Sequence, residues 1–228
     1  MKIAAYTDDA LTSSSRREIA RYRYRVFVGQ LGWELPVPVD CDQDQFDNPH
    51  TRHLVAYDHA EVVGYARLLP TSQPYLLQTL FPELLNGRQA PVDEGLWELS
   101  RYAATDLRHS NAAIAMSMPV GKALLLEAMR YVRARGAHTL IFCTTVAIER
   151  LSHRWGLDTQ RLGPPRRSAA GLLVAAAIPC TEANMQCLAQ AAEMREAWEP
   201  TPATTGIGGG IGATAPGGSS SWPERPAC

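Results

Sequence analysis

The stretch Met118-Pro119-Val120-Gly121-Lys122-Ala123-Leu124-Leu125-Leu126-Glu127-Ala128-Met129-Arg130-Tyr131-Val132-Arg133-Ala134-Arg135-Gly136, with Leu140-Ile141-Phe142-Cys143-Thr144-Thr145 close behind it, decides the fold. Val120, Leu124, Leu125, Ala128, Met129 and Val132 recur at helical spacing and make one apolar stripe. Ser117 can cap its start, Pro119 suits a first turn, and Gly136 ends it. The spacing predicts a helix over 118–135, and the β-rich run after it predicts a buried strand over 138–145.

Working outward, Ser13 to Ser15 offer N-cap choices for a first helix running to about Val28, with Ile19, Tyr22 and Val26 on its apolar face. That helix carries Arg23 and Phe27. Residues 53–58 and 62–69 are β-rich and separated by Asp58-His59-Ala60-Glu61, which predicts a hairpin, and 96–104 reads as a third strand. Beyond the central pair come a helix near 146–155, strands near 157–162 and 171–178, and a last helix from Thr181 to about Trp198. Helices interleaved with strands, some joined by tight turns, imply an α/β fold: a three-layer α/β/α arrangement around a mixed, mainly antiparallel sheet.

The 228 residues, 46% of them hydrophobic, suffice for one sizeable core and are short for two, so a single domain over 1–200 is expected. From Thr201 to Cys228 the composition turns to Gly, Pro, Ser, Thr and Ala, which predicts a disordered tail. Gly208-Gly209-Gly210-Ile211-Gly212-Ala213 within it has no strand before it and no room for a helix after it, so it reads as linker and not as a nucleotide loop.

A net charge of −1 and a pI near 6.6 give no global pull toward nucleic acid or a membrane surface. The N-terminus reaches Asp8 and Asp9 before any apolar run of signal length, and the most apolar window, Ala169 to Ile178, is too short to span a bilayer. A cytoplasmic protein with neither nucleic-acid nor membrane partner is expected. Cys41, Cys143, Cys180, Cys187 and Cys228 are scattered without a Cys-x-x-Cys pair and read as reduced thiols. His50 and His53 sit three apart in a Pro-containing, non-helical context with no Cys or third His nearby, so no metal site is favoured.

Charge is uneven locally. Residues 34–61 hold Glu34, Asp40, Asp42, Asp44, Asp47, Asp58 and Glu61 against one Arg; residues 130–167 hold Arg130, Arg133, Arg135, Arg150, Arg154, Arg161, Arg166 and Arg167 against two acids. The first region suits a cationic ligand and the second an acidic macromolecule, unless both are solvated faces.

Three blocks resemble the acyl-homoserine-lactone synthase family: Arg23-Tyr24-Arg25-Val26-Phe27-Val28-Gly29-Gln30-Leu31-Gly32-Trp33 followed by Asp44-Gln45-Phe46-Asp47; Arg67-Leu68-Leu69-Pro70-Thr71 with Pro74-Tyr75-Leu76-Leu77; and Trp97-Glu98-Leu99-Ser100-Arg101-Tyr102. With the order and spacing of the later elements the likeness spans about residues 5–180. It implies a fold like that of the N-acetyltransferases. It also implies acyl transfer from acyl carrier protein to the amine of S-adenosylmethionine, followed by lactonisation with loss of methylthioadenosine, to make a quorum-sensing signal. No cofactor or metal is implied, S-adenosylmethionine being a substrate. Tyr102 departs from the family's usual Phe and keeps the ring.

The resemblance marks Arg23, Phe27, Trp33, Asp44, Asp47, Arg67 and Arg101 as the S-adenosylmethionine site, and Glu98 with Arg101 as catalytic. Their chemistry agrees: carboxylates suit a sulfonium and an ammonium, guanidiniums a carboxylate, and aromatic faces an adenine or a sulfonium. Residue type alone leaves other readings open: Phe27 and Trp33 as core, Asp44 and Asp47 as turn caps, Glu98 with Arg101 as a structural ion pair. An acyl-chain pocket is expected at Phe142, Thr144, Thr145 and Val146, and carrier-protein docking at Arg130, Arg133, Arg150, Arg154 and Arg166. The rival activity is an N-acyltransferase using acyl-coenzyme A. Against it, Ser117-Met118-Pro119-Val120-Gly121-Lys122-Ala123 holds one glycine and a proline where a phosphate cradle would need several glycines.

Overall fold

A computed structural model of the chain describes residues 1–108, 118–168 and 171–193. The expected Ser117 cap, the end of the last helix and the tail over 201–228 lie outside the described residues. Strand β1 (Lys2–Thr7) opens the chain, followed by α1 (Ser13–Tyr24), β2 (Arg52–Asp58), β3 (Glu61–Pro70), the short α2 (Leu76–Thr79) and β4 (Leu96–Ala103). Then come α3 (Met118–Arg133), β5 (Thr139–Thr145), α4 (Val146–Arg154), β6 (Gln160–Arg161), β7 (Arg166–Ser168), β8 (Gly171–Pro179) and α5 (Glu182–Glu193). The sheet order is β1-β2-β3-β4-β5-β8-β6, with β7 also on β8. Strands β4 and β5 run parallel, and the other pairings among the described strands are antiparallel. The mixed, mainly antiparallel sheet is as expected.

The central helix forms as its stripe predicts. Val120, Leu124, Leu125, Ala128, Met129 and Val132 are buried against Leu54, Ala66, Leu68, Leu140, Phe142 and Ile178 in the largest core cluster, which α5 joins through Met185 and Leu188. Each Val, Leu, Ile, Phe or Met side chain among them, fully buried, contributes about 1.5–3 kcal/mol. Gly64 makes the close approach possible: a Cβ there would stand 2.6 Å from Leu124 Cδ1 and 2.9 Å from Val120 Cγ1. Gly136, at φ +83°, ends the helix as expected. The opposite sheet face is covered by α1 at one end, through Ile19, Tyr22, Val26 and Phe27, and by α2 with the turn Pro82–Leu85 at the other.

The structure corrects several boundaries. Thr12, not Ser13 to Ser15, caps α1 by accepting the Ser15 N–H at 3.1 Å. The first helix loosens into a π-helical turn over Arg25–Gln30 before it stops. β1 was not legible because Lys-Ile-Ala-Ala-Tyr-Thr is an edge strand whose apolar residues, Ile3, Ala4, Ala5 and Tyr6, run together without a period-2 alternation. Cys143, Cys180 and Cys187 are free thiols. Among the described residues no helix is long and apolar enough to cross a membrane.

Candidate active site

On the sheet face between α1 and α2, three arginines and three aspartates form one buried ion network. Arg23 comes from α1, Arg67 from β3 and Arg101 from β4; Asp42, Asp44 and Asp47 come from the loop between α1 and β2. Arg23 donates from Nε and Nη2 to Asp42 (3.3 and 3.0 Å) and from Nη1 to both oxygens of Asp47 (2.9 and 3.0 Å). Arg67 Nη1 donates to Asp44 at 2.6 Å and to Asp47 at 2.9 Å, and its Nε donates to Ser100 Oγ at 3.0 Å. Arg101 donates from Nε to Asp42 at 2.9 Å and pairs from Nη2 with Asp44 at 3.0 Å.

Burial of these ions would be prohibitive without mutual pairing. Desolvation pushes the Asp47 carboxyl up, and the guanidiniums of Arg23 and Arg67 more than reverse it, holding that group well below the usual carboxylate range. Asp42 is likewise pushed up by burial and brought below its ordinary value by Arg23 and Arg101. Three positive and three negative charges leave the cluster neutral. One donor stays open: Arg67 Nη2 is buried and makes no hydrogen bond.

Arg101 takes its place through the backbone. Between Arg67↔Ser100 and Tyr65↔Ala103 the pairing of β3 with β4 slips, giving β4 one extra residue, and Arg101 adopts φ +48°. The bulge re-aims the side chain toward the acidic loop at a strain of order 1–3 kcal/mol. Phe27, buried on the π-helical turn, and Trp33, 37% exposed, lie with ring centroids 4.7 Å apart, and the Arg101 guanidinium stands 5.5 and 5.6 Å from the two centroids. Trp33 is held by its backbone N–H, which donates to the Phe27 carbonyl at 2.8 Å.

Glu98 is buried on β4 and accepts the backbone N–H groups of Leu76 and Leu77, each at 2.8 Å, at the start of α2. Burial pushes its carboxyl up to about 7, opposed by those two N–H groups and by the charge of Arg67. It does not pair with Arg101. Beside it the sheet opens: β4 and β5 are in register only over Leu96↔Thr139, Trp97↔Leu140 and Glu98↔Ile141, although both strands continue. Past Glu98, Leu99–Ala103 and Phe142–Thr145 diverge and leave backbone groups facing a gap.

The predicted residues Arg23, Phe27, Trp33, Asp44, Asp47, Arg67 and Arg101 thus meet, with Glu98 next to them. Asp42 and Ser100 were missed as site residues, as were the Leu76 and Leu77 amides. Asp42 stood among seven acids with nothing in its type to single it out, and amides carry no side-chain signal. The acyl-pocket residues are divided. Phe142 enters the α3-side core, Thr145 caps α4 by accepting the Ile148 N–H at 3.4 Å, Val146 is buried at the head of α4, and Ile141 and Cys143 occupy Glu98's face. The docking arginines are all exposed but spread over three elements: Arg130 pairs with Glu127 and Arg133 with Glu182 on the α3–α5 side, Arg150 and Arg154 lie on α4, and Arg166 donates to Asn86 from β7.

The sheet thus opens between two parallel strands beside a buried carboxyl raised to about 7, and comparison with known proteins places this arrangement in an acyltransferase family. The sequence pattern of the autoinducer synthase family matches residues 8–188, and the chain belongs to that family, the acyl-homoserine-lactone synthases of quorum sensing. It is 43% identical over 168 residues to an acyl-homoserine-lactone synthase of Acinetobacter nosocomialis, covering 72% of this chain and 92% of that one. Its structure matches TofI, solved in a ternary complex with an inhibitor and MTA, at TM-score 0.72 and 34% identity, covering 83% of this chain and 97% of that one. At lower identity the fold alone is shared with BjaI, a CoA-dependent acyl-homoserine lactone synthase (TM-score 0.74, 24% identity, 84% and 89% covered). It is shared too with an acyl-CoA N-acyltransferase from Pseudomonas aeruginosa (TM-score 0.54, 16% identity, 78% and 99% covered).

Proposed function

We propose that this acyl-homoserine-lactone synthase takes its acyl group from acyl carrier protein and its amine from S-adenosylmethionine, and works in the cytoplasm. The observation that carries the chemistry is Glu98: a buried carboxyl raised to about 7 at the point where β4 and β5 part. A general base is most useful when its pKa lies near the working pH. Glu98 takes a proton from the ammonium, directly or through one water, and the freed amine attacks the thioester carbonyl. The C–N bond forms, the C–S bond breaks, and the carrier thiol leaves with a proton. The unpaired backbone amides of the diverging strands are the candidate donors for the oxyanion.

In the second step the substrate carboxylate attacks its own γ-carbon, the bond to the sulfonium breaks, and methylthioadenosine departs neutral. That displacement needs the chain folded more than it needs a base. The neutral ion network suits the task. The methionine part is a zwitterion, so its carboxylate and ammonium can exchange with Asp and Arg partners without changing the charge balance, and Arg67 Nη2 is a buried donor with no hydrogen bond to lose if it turns to a carboxylate oxygen. Trp33 and Phe27 offer the aromatic surface for adenine or the sulfonium.

Methylthioadenosine release from S-adenosylmethionine, measured by mass spectrometry with acylated carrier protein and with acyl-coenzyme A in parallel, tests the reading. Release and lactone only with the carrier protein is the expected result. Turnover with acyl-coenzyme A alone would transfer the donor role to coenzyme A, for which α3, opening Met118-Pro119-Val120-Gly121, offers a poor phosphate cradle.

A further inference from the structure

Behind the ion network runs a second buried polar chain that the reaction above does not use. Asp8, in the turn after β1, is held by Arg16 of α1, whose Nη1 donates to Oδ1 at 2.6 Å. The same Asp8 oxygen lies 3.2 Å from His53 Nε2, and His53 Nδ1 lies 2.7 Å from the Tyr65 hydroxyl. His53 and Tyr65 are both buried, the latter completely. On the far side of the Tyr65 ring, 5.4 Å from its centroid, stands the guanidinium of Arg23.

The hydrogen-bond directions follow from Asp8. Its hydrogen bond from His53 brings its carboxyl below the ordinary value against the opposing cost of burial, with Arg16 adding to the effect, so it is ionised and only accepts. His53 must then donate from Nε2. In the neutral ring Nδ1 is left as an acceptor, and Tyr65 donates to it. The arrangement fixes the Tyr65 ring at one end through its hydroxyl and presents its face to Arg23, whose donors reach Asp42 and Asp47 on the other side. Register reinforces this: His53 pairs across the sheet with Arg67, so the chain lies against two of the three network arginines.

We infer that His53, anchored on Asp8, is a positioning residue for the substrate site: it fixes Tyr65 as the platform on which the Arg23 guanidinium is oriented. The inference rests on the S-adenosylmethionine reading only for the ligand, not for the geometry. His53→Leu removes both hydrogen bonds, whereas His53→Gln can keep both, an amide N–H for Asp8 and a carbonyl for Tyr65.

The test has two readouts. In arginine-labelled protein, the Nε–H signal of Arg23 should be protected from exchange in the parent and in His53→Gln, and lose protection in His53→Leu. S-adenosylmethionine affinity, measured without acyl donor, should fall about fivefold to tenfold in His53→Leu, the scale of one net hydrogen bond, and return with Gln. Tyr65→Phe, which keeps the ring and the fold while removing its anchor, serves if the Leu variant does not fold, and should show the same loss of Arg23 protection. An unchanged Arg23 signal in the folded variant, or a loss that Gln does not rescue, overturns the proposal. A parent that binds no S-adenosylmethionine while the exchange pattern holds would sink the substrate assignment and leave the positioning role standing.

Discussion

Glu98 and Arg101, three residues apart on β4, do not touch: the carboxylate accepts the Leu76 and Leu77 amides, and the guanidinium turns away to Asp42 and Asp44. Strand alternation alone would send residues three apart to opposite faces; the bulge and the left-handed backbone swing Arg101 round toward the acidic loop, where Asp42 and Asp44 take its guanidinium and Glu98 is left to the amides. The ion pair that residue type alone allowed would have held Glu98 ionised by lowering its pKa. Its absence lets burial raise the carboxyl to about 7.

The pH dependence follows with opposite signs for activity and stability. As a base Glu98 must be ionised, so kcat/KM should rise through a pH of about 7. For stability, a carboxyl whose folded pKa is raised favours the folded state below its ordinary value near 4.5, and that contribution is lost as pH rises through about 7. Glu98→Gln should bind S-adenosylmethionine nearly as well as the parent, lose about 10²-fold or more in turnover, and lose the activity limb near 7. A variant with near-normal turnover would leave Glu98 as no more than the anchor of α2.

The network makes the arginines unequal to lysines. Arg101→Lys keeps the charge but cannot form the fork to Asp42 and Asp44 or present a planar guanidinium to Phe27 and Trp33. It should stay folded and bind S-adenosylmethionine at least about tenfold more weakly. Arg101→Met strands a buried carboxylate and should cost about 3–5 kcal/mol in denaturant unfolding. Equal stability of Met variant and parent would mean that the pairing contributes nothing to the fold.

How much of this was legible depended on the kind of signal. The stripe of α3 and the β-rich runs of β2, β3, β4 and β5 are periodic, so their elements formed where expected. The site residues could be named from the three blocks, but their pairings could not. The sequence reading set arginines against a substrate carboxylate and aspartates against a cation, whereas in the folded chain Arg23 holds Asp42 and Asp47. Nor could the role of Asp42, or of His53 read as one of two stray histidines, be found from spacing: both depend on contacts between residues 19 and 45 positions apart, with Arg23 and with Asp8.

The acyl pocket is tested at Phe142. Its ring sits on the α3 side of the sheet just where β5 leaves β4, so it stands across the way from the opening into the core among Leu140, Trp155 and Leu157. Phe142→Ala should shift the preferred acyl chain to a longer one, read as the ratio of kcat/KM across a series of chain lengths. An added methylene in an apolar pocket is worth about 1–3 kcal/mol at best, so changes of roughly tenfold are the relevant scale. An unaltered profile would move the chain to the face lined by Ile141 and Cys143.

Carrier-protein docking is best tested on α4. This helix starts where β5 ends, at the mouth of the gap, and presents Arg150 and Arg154 one turn apart and exposed. Arg161 is a poorer candidate because its guanidinium is bound to the buried Glu149, at 2.5 and 2.7 Å. Arg130 and Arg133 sit beside Glu127 and Glu182, which dilute their charge. Exposed pairs contribute only about 0.2–1 kcal/mol each, so docking to an acidic partner must come from several together and act mainly on association rate. Double charge reversal, Arg150→Glu with Arg154→Glu, should raise KM for the acylated carrier protein severalfold and leave KM for S-adenosylmethionine unchanged. The parent's KM for the carrier protein should also climb with added salt, exposed charges being screened over roughly 8–10 Å near physiological ionic strength, and that salt dependence should flatten in the reversed variant. If both substrates suffered equally, the two arginines would belong to the fold; if neither did, the acidic partner would have to approach from the α3–α5 side, and Arg130 and Arg133 would be the next pair to reverse.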